Sequence, residues 1–472
     1  MSPLQKKLWY ERIPNAFIII FLIMVLVAVL TYIIPSGQFE RIMMENGREG
    51  VDPDSFHYIE KSPSMKTSPF DLFRSIPIGM VQAGTVMMIV FLAGGMFKIL
   101  QESGAMENGI GMAVRKIEEK NISPYWGLAL LTLLFGFFGA AVGFENLIGF
   151  VPLGIMVALG LGFDLMVGAG AVIGALAVGF ATSPINAYTV GVAHEIAGLP
   201  TFSGMGLRTI YVLVSLALMY WHMTSYMKKV EKDPTRSLVK GISTEGLTID
   251  RNQLQSYHLD TRGKIMLLAF FSFIAVVVYG VVVHQWYLDE IAALFVIYAI
   301  IFAVISGMSS EKMVQTFIKG ASAVTGGALI VGLARAIQVI MAQGEISDTI
   351  VYSLSLPLRQ LSPILSAIAM TIVQGVINFF IPSGSGQAMV TMPIIVPLSD
   401  IINVGRQIAV LAFQIGDGVT NMIIPTSGGL LAMLAIARVP FDKWFRFIIG
   451  LVVKVYIAGW IILAIATLIN WQ

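Results

Sequence analysis

Residues 124–159 read PYWGLALLTLLFGFFGAAVGFENLIGFVPLGIMVAL, and residues 363–398 read PILSAIAMTIVQGVINFFIPSGSGQAMVTMPIIVPL. Each stretch follows a serine, Ser123 or Ser362, and opens on a proline. Each then runs apolar for about twenty residues, the length that spans hydrocarbon, meets a polar break and turns apolar again. The breaks are Gly-Phe-Glu-Asn at 143–146 and Pro-Ser-Gly-Ser-Gly-Gln at 382–387. A segment of this form enters a membrane and returns to its own side, so both stretches are expected to be re-entrant hairpins.

The correspondence extends in both directions at one offset of about 240 residues. Upstream, Glu-Ser-Gly-Ala-Met-Glu at 102–107 is echoed by Gln-Gly-Glu-Ile-Ser-Asp at 343–348. Downstream, Gly-Phe-Ala-Thr-Ser-Pro-Ile-Asn at 179–186 corresponds to Gly-Asp-Gly-Val-Thr-Asn at 416–421, and both copies then reach a proline, Pro200 and Pro440.

Composition sets the solvent. Of 472 residues, 56% are hydrophobic and 12% charged, against roughly 25% charged in a soluble domain. Apolar runs of this length form membrane helices, since hydrocarbon offers backbone groups no partner, and they exclude the short alternating strands of a barrel. The first run follows Lys6, Lys7 and Arg12 but lacks a small-residue cleavage site, so it reads as a span and not a signal peptide. There is no cysteine, the net charge of +2 says nothing about partners, and no nucleic-acid partner is expected.

The expected fold is therefore an all-α polytopic membrane protein with about ten spanning helices and two re-entrant hairpins. Residues 1–77 hold a first span, Pro14 to Ile34, and an external loop with Glu45, Asp52, Asp54 and Glu60. Residues 78–226 form a first repeat: a span from Ile78 to Leu100, a surface helix from Gly104 to Lys120, the hairpin 124–159, and a span from Leu207 to Tyr226. The linker 227–264 carries eight basic residues against five acids and is placed in the cytoplasm. Residues 265–307 supply connecting spans, and 308–472 a second repeat with a segment from Ser322 to Met341 and the hairpin 363–398.

Crossings are counted from a cytoplasmic N-terminus, each first break turning back and each second break interrupting a true crossing. The linker then lies inside, the hairpin 124–159 enters from the cytoplasm, the hairpin 363–398 enters from outside, and the C-terminus is external. Two copies of opposite orientation make an inverted repeat, the plan of many secondary carriers.

Irregular backbone at membrane depth survives only where protein buries it or where it lines a wet cavity. One shared site explains all four breaks, with half-helix N-termini facing an anionic group and unwound carbonyls facing a cation. The substrate-binding candidates are Asn146, Ser183, Asn186, Ser383, Ser385 and Gln387, with Asn421, Thr426 and Ser427. The ion-coupling candidates are Glu145, Thr182, Asp417 and Thr420, and a Na⁺ site is expected near Glu145, Asn146, Ser383 and Asp417. No other cofactor is expected. Close packing of small residues is the competing explanation of a single break, and Gly168 to Gly174 is assigned to it. Lys98 and Arg335 are placed near span ends, snorkelling or paired. His194-Glu195 lacks the second histidine of a zinc-protease motif, since position 198 is glycine.

The two hairpin tips, taken with Gly-Asp-Gly-Val-Thr-Asn at 416–421 and Pro-Thr-Ser-Gly at 425–428, resemble the YfcC family, related to the DcuC-type anaerobic C4-dicarboxylate carriers of the ion transporter superfamily. The resemblance covers nearly the whole chain. It implies a homodimer in the plasma membrane, of bacterial inner-membrane type, with a scaffold domain and a mobile domain carrying both hairpins in an elevator motion. It also implies coupling to Na⁺ or H⁺, and a dicarboxylate or an amino acid as cargo. Glu145-Asn146 and Ser383-Gly384-Ser385 stand where superfamily members often carry Ser-Asn-Thr.

The function expected is a secondary active carrier of a small organic acid, C4-dicarboxylate or amino acid, driven by Na⁺ or H⁺ or by exchange. A basic amino acid antiporter is the alternative within that class, because the breaks hold two acids and no lysine or arginine. An ion channel is the alternative of another class. No nucleophile–base pair and no phosphate-binding loop argues for an enzyme or a primary pump.

Overall fold

The computed structural model describes residues 16–43, 49–200, 202–244, 247, 255–284 and 286–471, which fold into twenty α-helices with two short β-ribbons. In the first half these are α1 Ala16–Ile33, α2 Pro69–Gln82, α3 Gly84–Glu102, α4 Ala105–Glu119, α5 Pro124–Val142, α6 Val151–Gly160, α7 Leu165–Ala169, α8 Ala175–Ala181, α9 Val192–Ile196 and α10 Met205–Lys232. The second half holds α11 Thr261–His284, α12 Leu288–Ser306, α13 Ser310–Ala323, α14 Thr325–Gly344, α15 Ser347–Ser355, α16 Pro363–Phe380, α17 Gly384–Ile401, α18 Arg406–Thr420, α19 Gly428–Ile436 and α20 Phe441–Leu468. Among the described residues, α3, α5, α11, α12, α14, α16 and α20 are long and apolar enough to cross a membrane. Shorter apolar helices lie at 17–33, 145–160 and 165–181.

Local sequence explains many of the boundaries. Pro124 and Pro363 stand in the first turns of α5 and α16, where a missing N–H costs nothing and the fixed φ suits a helix. Ser68 caps α2 by accepting from the Asp71 amide, while the Asp71 carboxylate accepts from the Ser68 amide. The surface helix expected at Gly104 to Lys120 is α4, preceded by a left-handed Gly104.

Two expected spans are not continuous. The segment Ile78 to Leu100 is divided at Ala83 (φ −89°, ψ 7°) between α2 and α3, and Ser322 to Met341 is divided at Val324 (φ −107°, ψ 6°) between α13 and α14. Neither residue is a helix breaker. These four half-elements instead pack as pairs, α2 along α14 and α3 along α13. Their backbones touch: a Cβ on Gly79 would lie 2.6 Å from the Ala336 nitrogen, and one on Gly320 would lie 2.3 Å from the Gly94 carbonyl oxygen. The same exchange relates α1, which packs on α14, to α12, which packs on α3. A second group joins α5 to α8 and α16 to α18, with α10 beside α20.

The loop after α1 contains β1 Gly37–Gln38 paired antiparallel with β4 His57–Tyr58, and β2 Arg41–Met43 with β3 Glu49–Val51. It docks on the far half of the chain: Arg41 pairs with Asp348 at 3.0 Å, and Phe56 stacks on Tyr352 with ring centroids 4.0 Å apart. Glu45 lies outside the described residues, as do parts of the basic linker. The linker's described part is tied down, Asp164 accepting from Tyr226 and Ser237 at 2.7 and 2.8 Å. Lys98 pairs with Glu102 at 3.0 Å.

The closest approach in the second group is between α5 and α8, where a Cβ on Gly179 would stand 1.9 Å from the Gly136 carbonyl oxygen. Gly179→Val is therefore expected to destabilise the protein by about 1–3 kcal/mol, read as a lower Tm of the purified protein in detergent. Gly206→Ala, at a position where a Cβ meets nothing within 4 Å, is the control and should leave Tm unchanged.

Candidate substrate and ion site at the helix breaks

The first break begins where α5 ends on Gly143, whose φ of +104° and ψ of 174° only glycine adopts without strain. A 3-10 turn, Glu145–Phe150, leads into α6. In the second break Asn186 accepts from the amides of Tyr188 and Thr189 at 2.8 and 3.1 Å and starts a π-turn. The third runs from Ile381 to Ser383, and the Ser383 hydroxyl accepts from the Gly386 amide in the first turn of α17. The fourth lies between α18 and α19.

All four meet. Gly418 packs on Ala181, where an added Cβ would lie 2.4 Å from the Ala181 Cα. Gly384 faces Thr189 and Phe180, and Gly429 lies against the Glu145 side chain. Side-chain donors then satisfy the carbonyls that the interrupted helices leave free. Asn146 donates to Val142 O at 2.9 Å, Ser183 to Ala140 O at 2.7 Å, and Thr426 to Phe379 O at 2.8 Å. Gln414 donates to Ser183 O at 2.6 Å, and Asn378 to Asp417 O at 2.7 Å. Asn378 also donates to Thr420 Oγ1 and Asn421 Oδ1 at 2.7 and 3.0 Å.

Among the buried side-chain atoms around the breaks that lack a partner, acceptors outnumber donors, the amide donors being Asn186 Nδ2 and Gln374 Nε2. Neither oxygen of Asp417, which is 0% exposed, has a hydrogen-bond partner, and the same holds for Asn146 Oδ1, Asn378 Oδ1, Gln387 Oε1 and Gln414 Oε1. A buried acceptor without a donor costs about 1–3 kcal/mol, so this surplus fits a site that receives a cation or a hydrogen-bond donor. The unpartnered acceptors are all oxygens, which suit a hard ion such as Na⁺. Among the described residues no group of three or more His, Cys, Asp or Glu side chains is placed to hold a metal.

A cavity of about 550 Å³ lies between the breaks. Of the expected site residues, Glu145, Asn146, Ser383, Ser385, Asn421 and Ser427 line it. Thr426 lines an adjoining cavity of about 470 Å³ that shares Glu145, Tyr287, Pro382 and Ser383 with the first. The others stand behind the wall. Thr182 and Thr420 each bond back one helical turn, to Val178 O and Gly416 O, both at 2.7 Å. Ser183 and Asn186 hold backbone, and Gln387 donates to Gln374 O and Oε1 at 2.9 and 2.7 Å.

The two acids differ in setting. Asp417, expected within a break, sits in the last turn of α18, because the helix continues through Thr420. Its Oδ2 is 3.3 Å from where a Cβ on Gly384 would be, so it faces the N-terminal turn of α17. The Glu145 Oε1 lies 2.7 Å from the corresponding position on Gly429, in the first turn of α19. Both carboxylates thus meet the positive end of a half-helix.

Sequence reasoning missed the aromatic wall of Phe144, Phe180, Tyr188 and Tyr287, and the helical amides Gln374, Asn378 and Gln414. The amides carried a signal, being polar residues inside apolar runs. Arg335 also departs from expectation. It lies midway along α14, exposed to the adjoining cavity, and not at a span end.

A helical membrane protein whose interrupted helices converge on one polar-lined cavity belongs to the class of membrane transporters. The profile of the C4-dicarboxylate anaerobic carriers, DcuC, matches residues 13–468, and the chain belongs to that family. It is 30% identical to a protein of Escherichia coli K12 provisionally named basic amino acid antiporter YfcC, over 92% of each chain. It is 28% identical to a Haemophilus influenzae Rd protein of no assigned activity, over 98% of each. Among solved structures, Neisseria gonorrhoeae MtrF, described within a class of antimetabolite efflux pumps, aligns with a TM-score of 0.43 and 17% identity over 96% of this chain and 95% of its own. The YdaH transporter of Alcanivorax borkumensis aligns at 0.42 and 12% over 97% and 99%. At these scores the fold is read from this chain's own contacts.

Asn378 joins α16 to the end of α18 and the fourth break, its two amide hydrogens shared among Asp417 O, Thr420 Oγ1 and Asn421 Oδ1. Asn378→Leu is expected to cost about 1–3 kcal/mol, measured as a fall in Tm in detergent.

Proposed function

We propose that this transporter is a secondary active carrier that moves a small carboxylate-bearing solute, a C4-dicarboxylate or an amino acid, across the plasma membrane, driven by Na⁺ or H⁺ or by exchange. The observation that carries the reading is Asp417, a fully buried carboxylate with no partner, set beside the tip of α17 and behind a cavity formed by four helix breaks. A carboxylate so placed is costly unless a cation joins it in part of the cycle. Asp417 with the unpartnered amide oxygens would hold that cation. Glu145 and the serines at 383, 385 and 427 would face the solute.

The geometry of transport follows from the pairings. The exchange of α2, α3, α13 and α14 across the two halves, and the matched pairs α5–α8 and α16–α18, support an inverted repeat in which 124–159 and 363–398 are hairpins entering from opposite faces. In this reading α1–α3 and α12–α14 form the scaffold, and the elements bearing the breaks form the body that slides past it as an elevator. Two copies assemble as a homodimer, with the N-terminus cytoplasmic and the C-terminus external.

A basic amino acid antiporter is the second reading, favoured by Glu145 in the first break and Asp417 at the end of α18, and by the provisional name of the Escherichia coli relative. Proteoliposomes loaded with candidate solutes, under separate Na⁺ and pH gradients, distinguish these. Saturable counterflow is expected, and its absence beside steady conductance would make the protein a channel.

Asp417→Asn is expected to lower gradient-driven accumulation at least about tenfold, the scale of one lost charge-assisted contact, while Tm is kept because no hydrogen bond to the carboxylate is lost. Glu145→Gln should likewise reduce transport. Unchanged coupling in both variants would remove the acids from the mechanism.

A further inference from the structure

The adjoining cavity holds a group that the breaks lack, a fixed positive charge. Arg335 is the guanidinium on the α14 wall, and α14 is a 20-residue helix long and apolar enough to cross a membrane. Such a charge in the middle of a membrane-length helix is expensive unless it lines an aqueous space or meets a counter-charge. Among the described residues no carboxylate lies within ion-pair distance of it. Its Nε donates to Gln82 Oε1 at 3.3 Å and its Nη1 donates to Gln338 Oε1, so two amides orient the fork while Nη2 bonds to nothing.

Three acids share the cavity with Arg335. Glu145, Asp289 and Glu290 line the same space, Glu290 also accepting from the Tyr287 amide at 3.0 Å. The cavity lining therefore carries both signs of charge, and Glu145, Tyr287, Pro382 and Ser383 are its common wall with the larger cavity at the breaks.

We propose that Arg335, oriented by Gln82 and Gln338, is a carboxylate-docking subsite, and that the solute is an α-amino acid held with its carboxylate on Arg335 and its ammonium toward those acids. A guanidinium fork matches a carboxylate in two parallel hydrogen bonds, which an ammonium group cannot do. A dicarboxylate docked on Arg335 would turn its second negative charge toward Glu145, Asp289 and Glu290. An amino acid turns its positive end there instead, and its side chain has the cavity at the breaks to enter. The inference rests on the carrier reading above and narrows its cargo.

The test uses the full-length protein in proteoliposomes and counterflow of L-alanine, L-lysine, L-glutamate, succinate and cadaverine. Wild type should exchange at least one of the amino acids and neither succinate nor cadaverine. Arg335→Gln should raise KM for that amino acid roughly 10- to 100-fold, the worth of a charge-assisted pair, with kcat and Tm little changed. Arg335→Lys, which keeps the charge and loses the fork, should fall between. An unchanged KM, or a loss of kcat and Tm together at constant KM, would mean that Arg335 only braces the α2–α3 break, and the subsite is overturned. Exchange of succinate and of no amino acid would overturn the cargo while leaving the carrier intact. No saturable exchange of any of the five overturns the carrier reading, and the subsite with it.

Discussion

A backbone interrupted inside hydrocarbon must find partners for the carbonyls and amides that the helix no longer satisfies. The rest of this structure depends on how that demand is met. Asn146, Ser183, Asn378, Gln414 and Thr426 each donate to a backbone carbonyl at or beside a break. Because all of those bonds but the local one of Asn146 cross between segments, satisfying the breaks also ties α5, α16, α18 and the stretches that follow α8 and α18 into one body.

The chemistry of the centre is a by-product of the same bonds. An amide has two donors and one acceptor oxygen, and when the nitrogen serves backbone the oxygen remains. Four such oxygens and both oxygens of Asp417 are buried without donors. These oxygens lie at and behind the wall of the cavity, and the half-helix starts at Gly384 and Gly429 face the carboxylates of Asp417 and Glu145. The positive group near the site is not at the breaks but on α14, where Arg335 lines the adjoining cavity together with Glu145, Asp289 and Glu290.

Small residues set the distances. At Gly179, Gly320 and Gly79 helix backbones touch, and this lets α14 and α3 exchange partners with α2 and α13 across the two halves. Broken elements on both sides then place Ala83 and Arg335 against the cavity. In a bilayer, where lipid is as apolar as leucine, such contacts and the few hydrogen bonds between helices are what hold the arrangement.

The sequence alone determined membrane residence, helical class and the existence of the breaks, because hydrophobic run length and the repeat of Gly, Ser and Pro at one offset are local properties of the chain. It also named residues that meet: Glu145, Asn146, Ser383, Ser385, Asn421 and Ser427 line one cavity. Only tertiary structure decided which polar residues face that cavity and which serve backbone, since Thr182 and Asn146 look equally available in the sequence. It alone divided the helices at Ala83 and Val324, where no breaker residue stands, and kept α18 helical through Asp417. It alone moved Arg335 from an assumed span end to a cavity wall, because α14 begins after the interruption at Val324 and runs Thr325–Gly344, which puts residue 335 midway along it.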